Sequence, residues 1–154
     1  MALHFTTSHL EDSLSLFRYY KKLAEDAMAH VTDAELTVTL DGEKPDRQRD
    51  TEFVQPPATR AELMKVWEEG WDCVWRALGP LNESDLARTV TIRGENHSVT
   101  QAINRQLAHY AYHIGQIVLL AKHFRSEQWK SLSVPKNKSA EFNQKVAAGE
   151  KSQR

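Results

Sequence analysis

Three copies of one helix-start signal divide this chain into helical segments. Each copy is a Ser or Thr followed three positions later by Glu or Gln, and the copies are Ser8 with Glu11, Thr59 with Glu62, and Ser98 with Gln101. In such a capping box the two side chains satisfy backbone N–H groups that the first turn of a helix leaves unpaired. Apolar residues recur every three or four positions after each pair, which is the period of one helix face. The chain is therefore predicted to be all-α.

The apolar periods set the bounds of three long helices. They predict helices over residues 10–31, 60–78 and 99–124, of which the second stops at Gly79-Pro80. A short fourth helix is expected over residues 140–147. The β-branched residues before Gly94 also predict a small hairpin within residues 88–98, with its turn at residues 94–96.

The length and the ends of the chain bound its organisation. With 154 residues, the chain has the length of one domain, which we place at residues 1–148, followed by a disordered tail at residues 149–154. The first residues lack the basic and apolar regions of a secretory signal, so we expect a cytoplasmic location.

Composition excludes several classes of partner. Twenty Lys and Arg against 21 Asp and Glu leave a net charge of −1, so we expect no nucleic-acid binding. No apolar run approaches the roughly 20 residues of a membrane span, so no membrane partner is expected. The single cysteine, Cys73, forms neither an intrachain disulfide nor a multi-thiolate zinc site, so a metal would need His, Asp or Glu ligands.

Trp67, Trp71 and Trp75 form a stripe along one face of the second predicted helix. Their spacing of four residues places the three indoles above one another on that face. Such a stripe more often belongs to a core or a subunit interface than to a surface that stacks on a ligand.

The third predicted helix is apolar on two sides. Its core stripe consists of Ile103, Leu107, Ala111, Ile114, Val118 and Ala121. His109, His113 and Leu120 share the reverse side, so we expect this helix to be covered on both faces and the His pair to lie in a second contact or a cleft. Two other long helices are too few to cover both faces of the third. The commonest source of the missing contact surface is a second copy of the chain in a homodimer. The sequence therefore predicts a homodimer.

The His pair has two interpretations from spacing alone. Two His four positions apart project from one helix face and can bind one divalent ion. In the other interpretation they are two half-buried, hydrogen-bonded side chains beside Tyr110 and Tyr112.

Three stretches of sequence carry a family resemblance. They are Asp-Gly-Glu-Lys-Pro-Asp-Arg-Gln-Arg-Asp-Thr-Glu-Phe at 41–53, His-Tyr-Ala-Tyr-His-Ile-Gly-Gln-Ile at 109–117, and Trp-Lys-Ser-Leu-Ser-Val-Pro at 129–135, followed by Phe142-Asn143. In order and spacing they resemble a DUF1572-type member of the DinB/YfiT-like superfamily. The resemblance implies an up-and-down helical bundle, commonly dimeric, in which three His bind a divalent metal. Relatives include thiol-dependent transferases and isomerases.

Residue by residue, the resemblance assigns two of the three metal ligands to His109 and His113. The third His normally comes from a helix that precedes the 41–53 stretch, but here residues 35–40 run almost directly into it. Asp46 also replaces a usual Trp, and Gln48 replaces a usual Asn. We expect an incomplete Zn or Ni site, empty or completed by water. The candidates for a third ligand within the chain are His30 and the loop at residues 41–52.

Two functions remain open at this level. In the first, the chain is a metal-dependent enzyme, a hydrolase or a thiol-dependent transferase, in which the ion activates water or a thiol. Arg47 and Arg49 would then hold an anionic small-molecule substrate, although a solvated loop with internal ion pairs explains the same charges. In the second, the chain is a non-catalytic, dimeric helical scaffold with a vestigial metal site.

Overall fold

A computed structural model describes residues 7–38 and 57–151 of the chain. The helices are α1 (His9–Met28), α2 (Arg60–Leu78), α3 (Val99–Arg125) and α4 (Ser139–Ala147), and the strands are β1 (Thr89–Ile92) and β2 (Glu95–Ser98). Short 3₁₀ turns lie at Glu35–Thr37, Glu83–Ala87 and Ser126–Gln128. Within these residues the prediction of three long helices, a short C-terminal helix and a small hairpin is confirmed.

The helix-start signals act as the sequence indicates. The Ser8 hydroxyl accepts a hydrogen bond from the backbone N–H of Glu11, and Thr59 and Ser98 each form a complete capping box. The bounds of α2 coincide with the predicted ones. α1 instead ends three residues before the predicted position, because the chain turns after Ala29. Val31 is buried although it lies beyond this turn. The apolar spacing of the sequence therefore continues after the helix has ended.

The core lies between α1 and α3. Phe17 and Ala24 of α1 are buried together with Ile103 and Ile114 of α3. The Phe17 ring meets the Tyr110 ring edge-on, with centroids 5.7 Å apart. Further along, Ala27 of α1 shares a second buried cluster with Ala121 of α3. The two helices therefore run parallel, and the predicted core stripe of α3 faces α1.

α2 packs against α1 and α3 through its Trp side chains. Trp71 is 4% exposed, and its ring lies 5.0 Å from Tyr110 and 6.3 Å from Phe17. Trp67 and Trp75 on either side are only half-buried. The core role predicted for the Trp stripe is thus confirmed for Trp71, which is the one fully buried residue of α2. Large side chains on a single stripe hold α2 against the other two helices.

Polar contacts fix the antiparallel direction of α2 against α1. Lys21 of α1 donates to Glu68 of α2 at 2.8 Å and also to Glu25. Burial disfavours the charge of Lys21, but the two carboxylates outweigh it and raise its pKa. At the other end, the Arg60 guanidinium donates to the Met28 carbonyl at 3.0 Å, so the start of α2 is attached to the end of α1.

The hairpin connects α2 to α3 with a tight turn. β1 and β2 are antiparallel, with Thr89 opposite Ser98 and Ile92 opposite Glu95. Arg93 and Gly94 form the turn and both have positive φ, 52° and 86°, which suits a two-residue hairpin loop. The predicted turn at residues 94–96 is therefore wrong, because Glu95 already pairs in β2.

The segment after α3 folds back over the end of α1. The Trp129 ring lies 5.2 Å from the His30 ring, and Leu132 packs on the cluster that contains Ala27. Residues 152–154 of the predicted tail lie outside the described residues. Among the described helices, none is long and apolar enough to cross a membrane.

Candidate metal and ligand site

His109 and His113 lie one turn apart on α3 and their rings touch. The ring centroids are 4.5 Å apart and the ring planes are nearly perpendicular, at 87°. Both side chains are exposed in the single chain. This arrangement follows directly from the four-residue spacing, because positions i and i+4 are neighbours on a helix.

Gln116 contacts one of the two rings. Nδ1 of His113 lies 3.0 Å from the Gln116 side-chain oxygen, Oε1. This contact holds the orientation of the His113 ring relative to α3. Metal-binding His residues typically have this kind of partner on the ring nitrogen that faces away from the ion.

The His pair borders an apolar cavity between α2 and α3. The cavity has a volume of about 290 Å³. Besides the two His, it is lined by Leu63, Val66, Trp67, Gly70, Trp71, Tyr110, Ile114 and Ile117. None of these side chains carries a formal charge, so the cavity suits an apolar group of a ligand, with imidazole nitrogens at its edge.

Two neighbouring cavities extend this one along the same pair of helices. A cavity of about 390 Å³ towards the hairpin shares Gly70 and Tyr110 with it, and one of about 330 Å³ towards the end of α3 shares Leu63, Trp67 and Ile117. We call the three together the α2–α3 groove. Leu120, which lines the third cavity, is 40% exposed, so the described residues leave part of the reverse side of α3 uncovered.

A third metal ligand is not grouped with the His pair in the described part of the chain. Within residues 7–38 and 57–151, no cluster of three His, Cys, Asp or Glu side chains could hold an ion. The candidate His30 instead packs against Trp129, beyond the end of α3. His113 lies twelve residues before Arg125, the last residue of α3, which is about 18 Å at 1.5 Å per residue.

The other predicted site residues fall in a different part of the chain. Arg47, Arg49 and the acidic residues of the 41–52 loop lie outside the described residues. Val38, the last described residue before them, lines the cavity towards the end of α3.

Sequence reasoning missed the contribution of α2 to this site. Leu63, Val66 and Gly70 form one wall of the cavity. Their spacing of three and four residues beside the Trp stripe is the signal that could have identified them. For Gln116, the three-residue distance from His113 is the sequence signal for their contact.

Comparison with known proteins gives one family. A family model described as "Protein of unknown function (DUF1572)" matches residues 37–138, about two thirds of the chain. The match includes α2, the hairpin and all of α3, and thus both His residues of the site. No curated protein and no solved structure gives a significant match.

Proposed function

This chain belongs to the DUF1572 family, and we propose that it is a DinB/YfiT-like protein that binds a divalent metal ion through His109 and His113. The position of the His pair supports this function. The two rings border a cavity of about 290 Å³ with an uncharged, largely apolar lining. Known small-molecule sites combine a concave apolar surface with a few polar groups in this way.

The donor set fits Zn²⁺ or Ni²⁺. Imidazole nitrogen is a suitable ligand for both ions. The contact of Gln116 with Nδ1 of His113 leaves Nε2 as the ring nitrogen that would bind the ion. Two protein ligands leave further positions open, and an ion held there would activate water or a thiol for a hydrolase or transferase reaction. The apolar wall of α2 would contact an apolar part of the substrate.

Metal analysis of the purified, untagged protein tests this function. We expect stoichiometric Zn or Ni in the wild type and its loss in His113→Ala. The control is His123→Ala, which removes an exposed His ten residues further along α3 that lines none of the three cavities. If His123→Ala loses the metal equally, binding at the His pair is ruled out.

Arg47 and Arg49 are proposed to bind an anionic group of the substrate. The cavity beside the His pair has no cationic lining residue among the described ones, so a substrate anion needs a cation from elsewhere. We expect Arg47→Ala and Arg49→Ala to leave the melting temperature and the oligomeric state unchanged. A lowered melting temperature in either variant would instead indicate a structural role for the loop.

The alternative function is a non-catalytic, dimeric helical scaffold with a vestigial His pair. It predicts metal at trace level only in the purified protein. It also predicts that His113→Ala leaves both the melting temperature and the oligomeric state as they are in the wild type.

A further inference from the structure

The cavity towards the hairpin is the largest of the three in the α2–α3 groove, and we call it the hairpin cavity. Its volume of about 390 Å³ is typical of a small-molecule pocket. Much of its wall is apolar, with Val74 and Leu78 from α2, Val90 from β1 and Ile103 from α3. The hairpin cavity therefore suits the apolar part of a small molecule.

One cation lies at the edge of this apolar wall. Among the described residues that line the hairpin cavity, Arg88 alone carries a formal charge. Its side chain is 68% exposed, so the guanidinium lies at the opening of the cavity and not in its depth. An apolar wall with one cation at its opening complements a ligand that has an apolar chain and one anionic end.

Two contacts hold Arg88 at this opening. Its Nη1 donates to the Asp85 carboxylate at 3.0 Å, and its backbone carbonyl accepts from the N–H of Val99, the first residue of α3, at 2.9 Å. The backbone N–H of Asn82 and the Arg88 guanidinium together lower the pKa of Asp85, so this carboxylate is ionised at neutral pH.

The Arg88 guanidinium still has donors for a ligand. A guanidinium has five N–H donors, and in residues 7–38 and 57–151 the Arg88 side chain forms a hydrogen bond with Asp85 only. Asp85 itself does not line the hairpin cavity. The cation therefore faces the cavity, while its partner carboxylate lies to one side.

Gly70 leaves open space where the hairpin cavity meets the cavity of the His pair. It lines both cavities, and a methyl group added there would meet no atom within 4 Å. An apolar chain in the hairpin cavity therefore has room to extend along the groove. A larger side chain at position 70 would fill that space without a clash.

We propose that the hairpin cavity binds a medium-chain carboxylate, with its carboxylate paired to Arg88 and its alkyl chain in contact with Val74, Leu78 and Ile103. A guanidinium binds a carboxylate through two parallel N–H···O bonds, which fixes the orientation of the ligand. Each methylene that the apolar wall removes from water adds to the affinity. This site requires neither His109 nor His113, so it goes beyond the proposed function.

Calorimetric titration of the full, untagged chain tests the recognition of the anionic end. The probes are octanoate, octanol and octylammonium, which share one alkyl chain and differ in charge. We expect one octanoate per chain, with octanol about fivefold weaker because a partly exposed charge pair is lost, and octylammonium weaker still. Added salt should bring the affinity of octanoate close to that of octanol.

Chain length and Gly70 test the apolar wall. Hexanoate has two methylenes fewer than octanoate and should bind roughly tenfold more weakly. Gly70→Leu should also weaken octanoate binding, because it fills space beside the cavity. The matched control is Gly115→Leu, which adds the same side chain in open space on α3 and lines none of the three cavities. It should leave octanoate binding unchanged.

A pair of arginine variants tests the assignment of the cation. Arg88→Gln should weaken octanoate about fivefold and leave octanol binding as in the wild type. Arg105→Gln makes the same change in net charge at an exposed position on α3 that lines none of the three cavities, and it should change neither. Arg88→Lys should keep only part of the affinity, because Lys retains the charge without the planar fork.

Three results would overturn the proposal: no octanoate binding at millimolar concentration, equal affinity for the three probes, or equal losses in Arg88→Gln and Arg105→Gln. If circular dichroism shows that Arg88→Gln does not fold, the probe series on the wild type decides the question. A metal ion at the His pair would also bind a carboxylate, so the titration is repeated with a chelator. Binding that persists supports the hairpin cavity. Binding that disappears overturns it and leaves the proposed metal binding intact.

Discussion

Trp71 connects all three long helices through one side chain. Its indole contacts Phe17 of α1, Tyr110 of α3 and both neighbouring indoles of α2. Truncation of a buried aromatic residue removes apolar burial and leaves a cavity that the surroundings only partly fill.

We expect Trp71→Ala to lower the free energy of unfolding by about 3–5 kcal/mol. Trp75→Ala removes a Trp side chain from a half-buried position, and it should lower the free energy of unfolding by clearly less. Urea denaturation followed by circular dichroism measures both. Equal losses in the two variants would contradict the assignment of Trp71 to the core.

Glu35 makes stability depend on pH. The backbone N–H of Thr32 donates to its carboxylate, and together with the Arg125 guanidinium this hydrogen bond outweighs partial burial and lowers the Glu35 pKa below 4.5. A lowered pKa in the folded state stabilises the fold above the ordinary pKa, and that contribution is lost as the pH falls through the lowered value.

Between pH 7 and pH 3, the wild type should therefore lose more stability than Glu35→Gln, which has no carboxylate to protonate. Thermal melts across this pH range measure the difference. Glu127→Gln is the control, since it removes an exposed carboxylate that follows α3. If wild type and Glu35→Gln show the same slope against pH, neither the hydrogen bond from Thr32 nor the contact with Arg125 stabilises the fold through the Glu35 carboxylate.

At the scale of the elements, α2 is stabilised by few buried residues and contains a glycine. A methyl group added at Gly70 would meet no atom within 4 Å. Glycine in a helix interior costs roughly 0.5–1 kcal/mol relative to alanine.

Gly70→Ala should therefore stabilise the protein by about 0.5–1 kcal/mol. Gly79→Ala is the matched comparison, because a methyl group there would lie 2.8 Å from the Trp75 carbonyl oxygen, and it should not stabilise. Urea denaturation measures the free energy of unfolding of both variants. A destabilised Gly70→Ala variant would contradict the open space beside this position.

The helices could be predicted wherever their signals are local. Capping pairs gave the start of α2 and α3, and Gly79-Pro80 gave the end of α2. The end of α1 was missed because Val31 continues the apolar period after the helix has ended. The hairpin turn was misplaced because Arg93, which adopts positive φ, carries no turn signal of its own. Asn82 and Asp85 did form a readable capping box, at Glu83–Ala87, that sequence reasoning overlooked.

The candidate site could be predicted only for its part on one helix. The spacing of His109 and His113 places them together whatever the tertiary structure. Leu63, Val66 and Gly70 reach them through the packing of α2 across the bundle, and helical periodicity does not state which helix faces which. The residues that form the second wall of a site between helices can therefore be identified only when the arrangement of the helices is known.

In the whole molecule, stability is unevenly distributed. α1 buries six residues, namely Leu10, Ser13, Phe17, Ala24, Ala27 and Met28, whereas α2 buries Trp71 alone. Segments with few buried contacts open locally at a lower free energy than the rest of a protein.

In the metal-free protein, we expect backbone amides of α2 to exchange with deuterium faster than those of α1 and α3. Hydrogen exchange read by mass spectrometry gives the rate for each helix. Uniform protection of all three helices in the metal-free chain would contradict this distribution of stability.

The parallel pairing of α1 with α3 also governs when the chain can fold during synthesis. Phe17 and Tyr110, which meet in the core, are about 90 positions apart. At roughly 5–20 residues per second, a ribosome needs about 5–20 s between making the first and the second. For the later part of that interval α1 has left the ribosome, with its apolar face exposed and its partner helix not yet complete. The nascent chain therefore presents apolar surface that can aggregate until α3 emerges.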